Sequence, residues 1–202
     1  MTDKISTKIH FTSQLYHRQG CVVFLRTKEL YGELSNMAAG YPLRVNSVHI
    51  LTSEALYQAC YFPHRPELQR LIIAQKSPMS AKMQRKKHRQ EVRPDWQAVR
   101  VPIMEWCLRV KLAQHRERFG ALLLSTGDRL IVEQSRRDEF WGAKVVDDET
   151  LSGVNVLGQL LMALRKQLQE PEVNKLQAVQ PPAVLGFLLG GKEVGLIEES
   201  RL

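Results

Sequence analysis

Glu54 opens the stretch Ser53-Glu54-Ala55-Leu56-Tyr57-Gln58, which follows Thr52 and repeats apolar and polar residues at helical spacing. In a first helical turn, free backbone N–H groups and the helix dipole favour an ionised carboxylate. Gln58 lies one turn later and Tyr61 one turn further, so a carboxylate, an amide and a phenol share one stripe. Such a stripe suits a pocket for a polar ligand, although an acid that only helps a helix start has the same spacing. The three tryptophans differ in context. Trp106 sits among Ile103, Met104, Cys107 and Val110 and reads as core. Trp96 follows Asp95 at a helix start, and Trp141 stands in Phe140-Trp141-Gly142, where the glycine lets backbone or ligand come close. An indole at such a junction stacks on a flat base or serves as a buried anchor, and spacing does not separate the two. Lys82, Arg85, Lys86, Lys87, Arg89 and Arg93 crowd one stretch with His88. They form either a surface that contacts phosphates or a solvated helix face.

The elements that must position these groups follow from pattern and punctuation. Val22 to Leu25 is a short β-branched run, and Leu43 to Leu51 alternates through Val45, Val48 and Ile50; both read as strand. The polar segment Tyr31 to Asn36 between them is a loop that turns at Gly32. Thr52 and Ser53 cap a helix through Ala59 that stops by Pro63. Pro66 opens a helix over Glu67 to Lys76, and Ser77-Pro78 opens the basic one. Asp95 is expected to cap a long helix from Trp96 to about Arg118, with Pro102 near its start. Leu130 to Glu133 predicts another strand, and Asn155 to Leu168 a closing helix, apolar at Leu157, Leu160, Leu161 and Leu164. Pro171, Pro181-Pro182 and Gly190-Gly191 punctuate a weakly periodic tail. Residues 1–170 are therefore expected to form the main domain, and 171–202 an appendage, partly ordered at most, with Val184 to Leu189 docked on a surface. The fold class is α+β, predominantly helical, one domain with a small N-terminal sheet.

Composition narrows the classes. With 44% hydrophobic and 25% charged residues, the 202-residue chain falls outside the disordered, collagenous and membrane classes. A net charge of +8 fits an anionic partner without requiring one. Cys21, Cys60 and Cys107 form no close pair, which argues against a disulfide framework or a cysteine-based zinc site. His10, His17, His49, His64, His88 and His115 show no metal-ligand spacing either. No glycine-rich phosphate loop follows a strand. The start, Met1 to Ser6, has no apolar signal-like run, and no stretch is long enough to span a bilayer. A cytoplasmic protein without a membrane partner is expected.

Six pieces occur in a telling order: Tyr31-Gly32-Glu33-Leu34-Ser35-Asn36; Thr52-Ser53-Glu54 with Tyr57-Gln58; Ser77-Pro78 with Ala81-Lys82; Arg93-Pro94-Asp95-Trp96; Phe140-Trp141-Gly142; and Asn155-Val156-Leu157-Gly158 with Met162 and Arg165. In these the chain resembles the NADAR family from about Val22 to Gln169. The resemblance implies a hydrolase that cleaves N-glycosidic bonds. One branch acts on early intermediates of riboflavin synthesis. The other removes ADP-ribose from guanine in nucleic acid and includes antitoxins paired with DNA ADP-ribosyltransferase toxins.

By that resemblance, Glu54 is the key carboxylate. Ser35, Asn36, Gln58, Lys82, Arg85, Trp96, Trp141, Gly142, Lys144 and Asn155 hold substrate, with no metal and no cofactor. Trp141-Gly142 is followed here by Ala143 where the riboflavin branch tends to carry an acid, which weakens the riboflavin assignment and leaves open whether Lys144, Asp147 or Asp148 takes over that role. The expected substrate is ADP-ribosylated DNA, modified on guanine, and the expected protein partner a DNA ADP-ribosyltransferase toxin. The riboflavin-intermediate N-glycosidase is the alternative, and a non-catalytic nucleotide- or nucleic-acid-binding module is third.

The chemistry fits these residue types. Breaking a ribosyl C–N bond builds positive charge on the sugar, which a carboxylate stabilises. The departing base must be gripped and helped to accept a proton. A pyrophosphate needs cations, which the stretch from Lys82 to Arg93 offers.

Overall fold

Strand β2 (Cys21–Phe24) lies parallel to β5 (Leu130–Glu133), with Val22 opposite Ile131 and Phe24 opposite Glu133. A parallel pair needs a long crossover, and here it carries the hairpin and five helices. The computed structural model describes residues 9–170 and 178–198. Strand β1 (Gln14–His17) pairs antiparallel with β7 (Thr150–Gly153), which also pairs with β6 (Lys144–Val145). Strands β3 (Leu43–Val45) and β4 (Val48–Ile50) form a hairpin. The run from Leu43 to Leu51 is thus folded back on itself. Asn46 and Ser47 both take positive φ at its tip, as a tight two-residue hairpin turn requires.

Six helices occur among the described residues: α1 (Ser53–Ala59), α2 (Pro66–Ile73), α3 (Pro78–Lys87), α4 (Trp96–Gln114), α5 (Arg116–Ser125) and α6 (Val156–Gln169). Helix α1 is buried at every position and packs against α2, α3 and α4. The Thr52 hydroxyl accepts from the Ala55 N–H at 3.2 Å and caps it. Ser77 caps α3 in the same way. The long helix expected from Trp96 ends earlier, at Gln114. His115 leaves helical geometry, its ring held by the Pro42 carbonyl at 2.7 Å and set edge-on to Tyr41. Asp95 does not cap α4 either, because both of its carboxylate oxygens accept from Arg93.

The core joins Val22, Phe24 and Ile131 to Leu56, Ile103, Trp106, Leu108, Leu157, Leu160, Leu161 and Leu164. Residues 178–198, in the tail expected as an appendage, pack into this same cluster through Val179, Phe187, Leu189, Val194 and Ile197. They form two short ladders, β8 (Ala178–Val179) with β11 (Ile197–Glu198) and β9 (Leu188–Leu189) with β10 (Lys192–Glu193). Phe187 meets Trp106 edge-on, and the buried Gln69 side chain bonds Leu188 O and Gly190 N–H. Residues 171–177 and 199–202 of that expected appendage lie outside the described residues. Among the described residues, no helix is long and apolar enough to cross a membrane.

Candidate active site

The C-terminal end of β5 and the N-terminal end of α1 meet at one cleft of about 180 Å³. Its lining brings together Ser35, Asn36, Glu54, Gln58, Tyr61, Lys82, Arg85 and Trp141, all singled out by sequence. Glu54 is 7% exposed, its backbone N–H donating to Asn36 O and its carboxylate accepting from the Gln58 amide at 2.8 Å. Arg85 Nε donates to the other end of the same amide at 2.9 Å and lies over the Tyr61 ring. Gln58 is thereby clamped between a carboxylate and a guanidinium.

Four expected site residues do not line this cleft. Trp96 stacks on the back of Tyr61, ring centres 3.5 Å apart, and supports it from behind. Lys144 reaches outward to Glu139 at 2.6 Å. Asn155, fully buried with positive φ, takes the β5 backbone in hand: its carbonyl accepts from Glu133 N–H and its amide donates to Ile131 O. Gly142 admits the Glu133 carbonyl where a Cβ would collide. Asp147 and Asp148 are exposed and also absent from the cleft lining. Arg93 is buried and occupied by Asp95 and Leu185 O, so it is not part of a free cationic surface.

Asn155 and Gly142 converge on the strand end that carries an acid not singled out by sequence. Glu133 lines the cleft, as do Tyr57, Met37, Met104, Ser135, Asp138 and Leu157. The signal available was a glutamate ending an otherwise apolar strand, just before the Phe140-Trp141-Gly142 turn. Asp138 in turn accepts the Phe140 and Trp141 N–H groups and sets the indole.

Burial, helped by the charges of Glu54 and Asp138 and opposed by Lys82, pushes the Glu133 carboxyl up to about 7. Burial also raises Glu54, but Lys82, the Gln58 amide and Arg85 all favour its ionised form. The pair is therefore split by its surroundings: two cations and an amide donor favour the Glu54 carboxylate, while Glu133, pushed up to about 7, holds its proton to near neutrality. A carboxylate beside a carboxylic acid is the arrangement that acid–base cleavage of a glycosidic bond uses. Asn36 Oδ1 and the Tyr57 hydroxyl are buried without a protein partner, and burying such groups unpaired is costly. Among the described residues, no three His, Cys, Asp or Glu side chains gather to hold a metal ion.

Residues 23–169 match the NADAR domain. The chain belongs to the NADAR family. It is 37% identical over 148 residues to N-glycosidase YbiA of Escherichia coli (strain K12), covering 72% of this chain and 86% of that one. It is 29% identical over 150 residues to N-glycosidase Npun_R5314 of Nostoc punctiforme, covering 73% and 92%. It is 32% identical over 151 residues to the Vibrio vulnificus riboflavin biosynthesis protein VVA0006, covering 74% of this chain and 39% of the relative. The NMR structure of E. coli YbiA is similar in fold, with a TM-score of 0.63 at 33% identity over 80% of this chain and 94% of that one. These relatives support a glycosidase function, and this NADAR chain shares their α+β architecture.

Proposed function

We propose that the protein hydrolyses the bond between ADP-ribose and guanine in nucleic acid. The observation that carries this reading is the split carboxyl pair, Glu54 and Glu133, in a cleft also lined by two cations, Lys82 and Arg85. Glu54 stabilises the positive charge that grows on the ribose as the C–N bond lengthens. The bonding pair leaves with the guanine nitrogen, which takes the proton of Glu133. Water adds to the sugar carbon, giving up its own proton to the carboxylates. Lys82 and Arg85 hold the pyrophosphate, and Trp141, which lines the cleft, offers the aromatic surface on which a base stacks. The basic residues beyond the rim, Lys86, Lys87 and Arg89, are exposed and favour a polymer over a free nucleotide.

A second reading is a small phosphorylated ribosylamine, as the riboflavin biosynthesis name of one relative suggests; the modest cleft volume favours it. The deciding experiment gives the enzyme a guanine-ADP-ribosylated oligonucleotide and a ribosylaminopyrimidine phosphate side by side, and resolves the products. Faster release of unmodified DNA, lost in Glu54→Gln, supports the first reading. Faster turnover of the pyrimidine overturns it. Glu54→Gln matching wild type on both would remove Glu54 from the chemistry.

A further inference from the structure

We infer that the outer face of α3 is a platform for an unpaired nucleic-acid strand, and that the two methionines at its centre carry the selectivity for single over double strand. Met79, Lys82, Met83 and Lys86 follow one another at i, i+3, i+4 and i+7 and share one face. That face lies opposite Ala81, which is fully buried. It begins at the cleft rim, because Lys82 lines the cleft. Met79 is 55% and Met83 58% exposed, on a helix whose last turn is Arg85-Lys86-Lys87 and which carries no acid.

A surface that only tracked a duplex backbone would need cations alone, since phosphates offer nothing to a thioether. Two flexible, polarisable side chains between lysines instead match an alternation of base faces and phosphates, which only an unpaired strand exposes. The buried position of Glu54 points the same way. A nucleotide must leave the helical stack to bring a bond to a recessed carboxylate, and its neighbour then needs a surface to rest on. This inference rests on the nucleic-acid reading above and sharpens its substrate to a strand that is unpaired at the modified base.

The test compares wild type with Met79→Ser/Met83→Ser, which alters only solvent-facing side chains. Anisotropy is measured with a labelled, unmodified oligonucleotide as single strand and as duplex, at several salt concentrations. Initial rates on ADP-ribosylated guanosine are measured in parallel. Wild type should prefer the single strand. The variant should lose that preference, with roughly tenfold weaker single-strand binding as two lost sulfur–ring contacts would give, unchanged duplex binding and the same salt slope. Lys86→Gln/Lys87→Gln should weaken both forms and flatten the slope by roughly 0.7–0.9 for each phosphate that is no longer neutralised. Equal weakening of both forms in the methionine variant, no weakening at all, or a wild-type preference for duplex would each overturn the platform. No binding of either form would also overturn it. The nucleoside rate separates the two levels. If wild type cleaves neither the nucleoside nor a guanine-ADP-ribosylated single strand while the methionine effect persists, the proposed activity falls and the platform stands.

Discussion

Replacing Glu133 by Gln removes an ionisable group while keeping its shape and its capacity to hydrogen-bond. In the folded protein the carboxyl is raised from 4.5 to about 7, first by burial and then by the charges of Glu54 and Asp138. A rise of that size corresponds to about 3 kcal/mol of preference for the protonated form. Because the folded-state value lies above the unfolded one, this stabilisation is complete below pH 4.5 and is lost as pH rises through about 7. Wild type should therefore weaken across that window, and Glu133→Gln should not. At pH values above 8 the variant should be the more stable by up to about 3 kcal/mol, roughly 6–12 °C in melting temperature for a chain of this size. Urea titrations from acid to mildly alkaline pH measure the difference, and kcat measured alongside should fall by about 10²–10⁴-fold if the acid donates its proton. A stability difference that stays constant with pH would refute the proton-holding role of half-buried Glu133. Stability behaving as stated with kcat intact would leave the burial argument standing and remove the catalytic one.

Gly158 allows α6 to press against β5, where a Cβ would overlap the Ile131 carbonyl oxygen and crowd the Asn155 amide. Gly158→Ala should cost more than about 4 kcal/mol, or prevent folding, as judged by circular dichroism melts. The Lys111 ammonium is buried against the Glu33 and Ser35 carbonyls and between the Tyr41 and Phe119 rings, and burial lowers it from 10.5 to about 7. A depressed lysine makes the fold gain stability as pH rises from 7 towards 10. Lys111→Met should abolish that gain in urea titrations. Phe187→Ala, which removes the ring set against Trp106, should lower stability by about 3–5 kcal/mol and leave turnover of a nucleoside substrate nearly unchanged, since neither ring lines the cleft.

What the sequence made legible was local. Thr52 as a cap, Ser77-Pro78 as a helix opening and the leucine stripe of α6 depend on neighbours a few residues away, and the structure agrees with each. Glu54 and Gln58 could be placed on one helix face for the same reason, whereas Tyr61, expected on that face, falls in the turn just past the end of α1. What stayed hidden depends on partners far along the chain. His115 breaks a helix because Pro42 holds it. Strand β1 shows only Tyr16 to the core, too little alternation to read. The Asn155 and Gly142 motif residues looked like ligand contacts, yet both act on the Glu133 backbone. Burial of the acid itself depends on a strand pairing that no local pattern announces.

The pairing of β2 with β5 has a consequence for how the protein comes into being. Residues 21–24 cannot find their partner until residues 130–133 exist, and closing so large a loop is entropically costly and slow. During synthesis at ordinary speeds, the interval between the two strands is on the order of 5–20 s. For that time the Val22 and Phe24 edge is a hydrophobic strand without a neighbour, the kind of surface that recruits chaperones or aggregates. Glu54 is made early and Glu133 late, and Asn155 must follow before Glu133 is fixed. A nascent or truncated chain ending before Asn155 would therefore lack the clamp on Glu133, and competence for hydrolysis would arise in the closing steps of folding.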